Sequence, residues 1–183
     1  MIITLAGYAG SGKSTVRNLL AEKLGWPSYS MGDLFGKMAQ EKGMTIEEFN
    51  SLSETREDID LEIDNYARKL GETENNFIMD GWIAWNFIPN SLKVFLNVDE
   101  EEAAKRILTH AKEGGREDEP DYDTTEDVKT AVRKRVGSHA SRFMEYYGIK
   151  WNDLSKMDLV VDTTNISPEE VVSQIIDKMA DSK

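Results

Sequence analysis

The chain has no cysteine, which removes disulfides, thiolate nucleophiles and zinc–thiolate sites together. Histidine is almost as scarce, and His110 and His139 do not have the spacing of a metal-ligand motif. No apolar run approaches the roughly 20 residues that a membrane helix needs. The first residues read directly as a strand, so no signal peptide is expected and a cytoplasmic setting is. Positive charge is also in short supply: 22 Lys and Arg stand against 34 Asp and Glu, a formal net charge of −12. Such a surface repels nucleic-acid polymers and anionic membranes, so neither is an expected partner. What remains is a 183-residue chain with 39% hydrophobic and 31% charged residues. That is the balance of one globular domain with a real core, expected to be a monomer.

The most informative stretch is Gly7-Tyr8-Ala9-Gly10-Ser11-Gly12-Lys13-Ser14-Thr15, which fits G-x-x-x-x-G-K-[ST]. An apolar run at 2–6 precedes it, and a helical pattern carrying Val16, Leu19, Leu20 and Leu24 follows. Strand, glycine loop and helix together form the phosphate-cradling arrangement. Backbone N–H groups of Gly7, Ala9, Gly10, Ser11, Gly12, Lys13, Ser14 and Thr15 would converge on phosphate oxygens at a helix N-terminus. Lys13 would neutralise the transferred phosphoryl group and the Ser14 hydroxyl would ligate Mg²⁺. A chance match in a glycine turn is the competing reading, and the flanking strand and helix argue against it. The loop implies a nucleoside triphosphate such as ATP; it does not name the acceptor.

Strand signals recur at 2–6, 76–80, 93–98 and 158–162, with a further extended stretch near Pro27-Ser28-Tyr29. Helical patterns lie between them. This alternation predicts an α/β fold, with a parallel sheet of about five strands between helical layers. Ligands would bind at the carboxyl ends of the strands. Gly25 and Pro27 stop the first helix, and Thr45 with Glu48 makes a capping box. Ile59, Ile63, Tyr66, Ala67 and Leu70 form an apolar stripe that Gly71 would terminate. Asp99 with Glu102 starts another helix, and Ser167-Pro168-Glu169-Glu170 opens the last, with Val171, Val172, Ile175, Ile176 and Met179 inward. The segment 113–127 breaks the pattern, being acidic with almost nothing to bury, and it leads into a helix bearing Arg133, Lys134, Arg135 and Arg142. This reads either as a hinged lid or as a solvated loop before an exposed helix face.

These motifs resemble the nucleoside monophosphate kinases, and most closely the compact archaeal-type cytidylate kinases, nearly from end to end. Besides the glycine loop, Tyr29-Ser30-Met31-Gly32-Asp33-Leu34-Phe35 resembles the family's acceptor helix. Asp80-Gly81 resembles its acid-glycine step at a strand end, and the run from Arg135 through Ser138 and Arg142 to Ile149 its lid helix. The resemblance implies a three-layer P-loop kinase fold with core segments 1–29, 72–112 and 148–183. A helical acceptor insert would occupy 30–71, and a lid with its helix 113–147. It implies phosphoryl transfer from ATP to a nucleoside monophosphate, with cytidylate first. Lys13, Asp80, Arg133, Arg135 and Arg142 would be catalytic. Gly32, Asp33, Phe35, Asp80, Gly81 and Trp82 would bind the acceptor, and Ser14 and Asp80 would hold Mg²⁺. Residues 162–165 would lie beside the adenine. The competing reading of Asp80 is a cap on the Gly81 turn, and that of Arg142 a surface ion pair with Glu145 or another acid.

The acceptor side departs from the resemblance. Where relatives carry arginines that grip a monophosphate, this chain has Gly36, Asn65-Tyr66-Ala67 and Trp82. Each lost guanidinium removes a charge-assisted clamp worth roughly 1.5–3 kcal/mol. Three readings stay open. Lys37, Arg56 and Arg68 could swing in as substitutes. Alternatively the acceptor is an unphosphorylated hydroxyl compound, oriented by Asp33 or Asp80 and packed by Trp82 and Trp85. Or the chain binds nucleotide with slow turnover, its acidic segment docking a partner. Trp85 reads as core, whereas Trp82 is either core or a stacking platform.

Overall fold

The computed structural model describes residues 1–113 and 122–181. Five strands form one parallel sheet: β1 (Ile2–Gly7), β2 (Ser28–Ser30), β3 (Phe77–Asp80), β4 (Leu92–Asn97) and β5 (Leu159–Asp162), in the spatial order β2-β3-β1-β4-β5. The register pairs Ile3 with both Ile78 and Leu92, and Asp80 with Leu5 and Ser30. The carboxyl ends of β1 and β3 therefore finish side by side. All five strands match the sequence expectation to within one or two residues.

Side-chain alternation along the strands divides the core in two. Ile3, Leu5, Ile78, Val94 and Leu96 face one side, where helices α1 (Lys13–Leu24) and α8 (Pro168–Asp181) contribute Val16, Leu20, Val171, Val172, Ile175 and Met179. Phe77, Met79 and Phe95 face the other side. There they meet α2 (Met31–Glu41), α3 (Ile46–Ser53), α4 (Glu57–Thr73), the short α5 (Ala84–Phe87) and the carboxyl half of α7 (Thr125–Tyr147). Helix α6 (Glu100–Lys112) packs along α7. No helix among the described residues is long and apolar enough to cross a membrane.

Local signals account for most helix ends. The capping box predicted at Thr45 and Glu48 forms, Asp99 caps α6, and Gly25 closes α1 in a left-handed conformation. Two expectations fail. Gly71 does not terminate α4, which runs on to Thr73. A Cβ there would stand 3.1 Å from Ile88 side-chain carbons, so the glycine serves a close approach to the chain leaving α5. Tyr66 is not core either: it is exposed, its ring edge-on to Tyr29. Trp85 is buried as expected, although its indole N–H has no partner among the described residues. Of the acidic segment 113–127, residues 114–121 lie outside the described residues. Beyond them Thr124 and Asp127 form a second capping box that starts α7.

Candidate active site

The glycine loop lies between the end of β1 and the start of α1. Gly10 and Gly12 adopt φ of +76° and +84°, and between them the Ser11 N–H donates to the Tyr8 carbonyl at 3.2 Å, so the loop turns tightly before α1 begins. A Cβ on Gly10 would also lie 2.7 Å from the Ala103 carbonyl, so the loop rests directly on α6. Lys13 Nζ donates to the carbonyls of Gly7 at 2.9 Å and Tyr8 at 2.7 Å. Burial pushes its ammonium down to about 8, against the pull of Asp80 and with the push of Arg135. Ser11 Oγ is buried without a hydrogen-bond partner among the described residues. A glycine loop at a helix N-terminus, a desolvated cation and a buried hydroxyl fit a bound polyphosphate.

The loop opens into a cavity of about 640 Å³. Gly7 lies at the loop's root, outside the lining; Ala9, Gly10, Ser11, Gly12, Lys13, Ser14 and Thr15 line the cavity. On one side Arg106, His110, Ile166 and Pro168 form a further wall. Arg106 donates to the carbonyls of Thr163 at 2.9 Å and Thr164 at 3.1 Å, which ties α6 to the segment after β5. The Thr163 hydroxyl sits 3.1 Å from the Ser11 carbonyl, coupling that segment to the loop. The sequence reading placed residues 162–165 in this region but missed Arg106.

On the other side, Gly32, Phe35, Asp80, Gly81 and Trp82 line the cavity as expected. Gly36 does not, and Asn65 and Tyr66 are exposed on α4. The three candidate substitute cations also stand elsewhere. Lys37 lies near Glu41, Arg56 pairs with Asp58, and the Arg68 guanidinium covers the Phe87 ring. Arg17, one turn beyond Lys13 on α1, does reach the acid at the edge of this side, although it stands outside the lining itself. Its Nη1 donates to Asp80 at 3.0 Å and to Asp33 at 3.2 Å, joining the two acids thought to serve the acceptor. Sequence reasoning passed over Arg17, although its four-residue spacing from Lys13 puts both on one helix face.

The helix α7 separates its three arginines. Arg135 lines the cavity close enough to Lys13 to depress its ammonium. Arg133 points away, holding Glu100 of α6 through two 2.8 Å bonds. Arg142 is not a surface residue and does not pair with Glu145. It is buried, donating to Asp60 at 2.7 Å, Ser138 at 2.8 Å, Asn50 at 3.2 Å and His139 Nδ1 at 3.0 Å. Of the three arginines only Arg135 lines the cavity: at 100° per residue Arg133 falls on the opposite face of α7, whereas Arg142 shares the face of Arg135 but stands two turns further along, where it meets Asp60 of α4. Lys134 adds an unanticipated cation to the lining.

Two further features were not legible as site residues. Asp60 and Asp64, one turn apart on α4, are both buried and both line the cavity. Burial raises both carboxyls, Asp64 to about 7, since Asp60 beside it adds like charge. His139 is stacked between Trp82 and Phe143 at ring separations of 5.1 and 5.5 Å. Burial, with Arg142 and Arg135 nearby, holds it well below its ordinary range. Because Nδ1 accepts from Arg142, the single ring proton of the neutral imidazole sits on Nε2.

A family model described as the cytidylate kinase-like family matches residues 2–165. A cytidylate kinase from Methanocella arvoryzae is 37% identical over 181 residues, covering 99% of this chain and 97% of that protein. A cytidylate kinase from Haloarcula marismortui is 36% identical over 177 residues, covering 94% of this chain and 86% of the relative. Among solved structures, a shikimate kinase from Bacteroides thetaiotaomicron superposes with a TM-score of 0.66 at 15% identity, covering 98% of each chain, a likeness of fold alone. On the family match and the near full-length relatives, the chain belongs to the cytidylate kinase-like family and is a kinase of the nucleoside monophosphate class.

Proposed function

We propose that the chain transfers the γ-phosphoryl group of ATP to cytidine 5′-monophosphate or its deoxy form, releasing the diphosphate and ADP. The observation that carries this reading is one cavity joining two unlike ends. One end is a phosphate-cradling loop with Lys13; the other is a chamber of aromatic rings and acids beyond Gly32 and Asp80. Family membership favours cytidylate.

In this reading the adenine of ATP lies toward Arg106, Ile166 and Pro168, and its phosphates lie in the loop. An oxygen of the acceptor phosphate attacks the γ-phosphorus. The bond from that phosphorus to the β–γ bridging oxygen breaks, and its electron pair stays on ADP. Lys13 and Arg135 neutralise charge on the transferred group, and Arg17 offers the nearest guanidinium to the acceptor phosphate beside Asp33 and Asp80. The exposed Ser14 hydroxyl and the Asp80 carboxylate, on one cavity wall, suit Mg²⁺, which needs only one or two protein oxygens besides phosphate. When bound, the ion would draw negative charge from the β- and γ-phosphates. The division into core, acceptor insert 30–71 and lid element 113–147 belongs to this proposal.

A second reading, phosphorylation of an unphosphorylated hydroxyl compound, draws on the lack of arginine at positions 36, 65–67 and 82. Against it, Asp33 and Asp80 already accept hydrogen bonds from Arg17. ADP release with CMP, dCMP, UMP, AMP and shikimate as acceptors separates the two. Rates with CMP and dCMP well above the ATP-only background are expected. Turnover of shikimate but of no monophosphate would replace the first reading with the second.

A further inference from the structure

The chamber beyond Asp80 has a charge pattern that a phosphate does not explain. Its far wall, on α4, carries two carboxylates, Asp60 and Asp64, only 6% and 3% exposed. An anion would be repelled there, so that wall faces the uncharged part of the acceptor. Trp82, His139 and Phe143 stack in series beside it, and Phe35 and Ile63 complete an apolar surround. A flat heteroaromatic ring suits this space.

The two acids are not equivalent. Asp60 is already compensated, since the Arg142 guanidinium donates to its Oδ2. Asp64 accepts only the Tyr147 hydroxyl, on Oδ2. Its Oδ1 has no hydrogen-bond partner among the described residues, and Arg68 lies on the Phe87 ring instead of pairing with it. A buried carboxylate facing a cavity with one open oxygen lacks a donor. Of the pyrimidine bases, cytosine presents an N–H₂ at ring position 4, where uracil presents a carbonyl oxygen that a carboxylate repels.

We propose that Asp64 is the residue that reads the acceptor base, accepting a hydrogen bond from an exocyclic amine and so selecting cytosine over uracil. This rests on the monophosphate kinase reading above. The Tyr147 hydroxyl is the device that makes the selection sharp, because it fixes one oxygen of residue 64 and leaves the other for the ligand. In Asp64→Asn the same hydroxyl would hold the amide oxygen and turn the amide N–H₂ toward the ligand. The donor–acceptor sense at the base would then reverse.

The test measures kcat/KM for CMP, UMP and 2-pyrimidinone riboside 5′-monophosphate, which lacks the amine, in wild type and Asp64→Asn. Wild type should lose about tenfold or more on the analogue, the scale of one hydrogen bond to a charged group. Asp64→Asn should lower the CMP/UMP ratio roughly 100-fold, by losing CMP and gaining UMP. Equal use of CMP and the analogue by wild type, which needs no variant to fold, would overturn the assignment. So would an unchanged CMP/UMP ratio in a folded Asp64→Asn protein. If wild type phosphorylates no monophosphate, the functional reading itself falls and this assignment with it. CMP turnover without discrimination removes the assignment alone.

Discussion

The two ends of the cavity are built by different means. At the loop end, proposed to take the donor, the structure is mostly backbone: left-handed turns at Gly10 and Gly12, carbonyls that pin Lys13, and carbonyls of residues 163 and 164 held by Arg106. At the end proposed to take the acceptor, side chains drawn from β3, α1, α2, α4 and α7 make up the wall and its support: Asp80, Asp60, Asp64 and His139 line the cavity, and Arg17, Asp33 and Arg142 bond to those side chains or to their partners. A backbone cradle constrains sequence locally, because only certain residues tolerate those dihedral angles. A side-chain chamber assembled from five elements imposes no local pattern, so relatives can rebuild it with other residues.

The largest expected effect lies at the donor end. Lys13→Ala should lower kcat roughly 100- to 1000-fold with the protein still folded, as loss of one preorganised charge-stabilising group does. Comparable kcat in the variant would break the claim that the donor end carries the chemistry. At the acceptor end, Arg17→Ala should raise KM for CMP by about 10- to 100-fold while KM for ATP changes little. Parallel changes in both constants would show that Arg17 serves the loop instead of the acceptor.

Arg142 sharpens the comparison from the side of stability. Removing it leaves Asp60 buried and unpaired, so Arg142→Ala should cost about 3–5 kcal/mol in denaturant unfolding. A stable variant with reduced kcat would return Arg142 to the transferred phosphoryl group. A smaller effect concerns pH. Burial pushes the Lys13 ammonium down to about 8, so its charge is lost as pH rises through that region. ATP affinity should therefore weaken above pH 8 and stay flat from 6 to 7; a flat profile to pH 9 would contradict it. Smallest is Arg133→Ala, which removes an exposed pair with Glu100 and should change kcat less than about twofold.

Legibility in the sequence followed the same division. The five strands, the two glycine-loop anchors Lys13 and Ser14, the capping box at Thr45 and the cap at Asp99 rest on short-range rules, and the sequence displayed them. Asp60 and Asp64 were hidden inside a stripe that reads as plain core, between Ile59 and Ile63 and before Ala67. Acids beside an apolar face are ordinarily solvated, and here only the return of α7 against α4 buries them. Arg17 was hidden for a related reason. Its meaning depends on Asp33 and Asp80, 16 and 63 residues away. Arg133, Arg135 and Arg142 looked equivalent along the chain, and the positions of α6 and α4 beside α7 gave Arg133 to Glu100 and Arg142 to Asp60 while Arg135 lines the cavity.

In the proposed arrangement one end of the cavity takes ATP and the other takes a cytidine monophosphate, phosphate toward Arg17 and base toward α4. A crystal structure with CMP bound tests this most directly. The account predicts the phosphate within hydrogen-bonding distance of Arg17 near Gly32, and the base beside Trp82 with its amine on Asp64. A phosphate held by Lys37, Arg56 or Arg68, or a base lodged between Arg106 and Pro168, would contradict it.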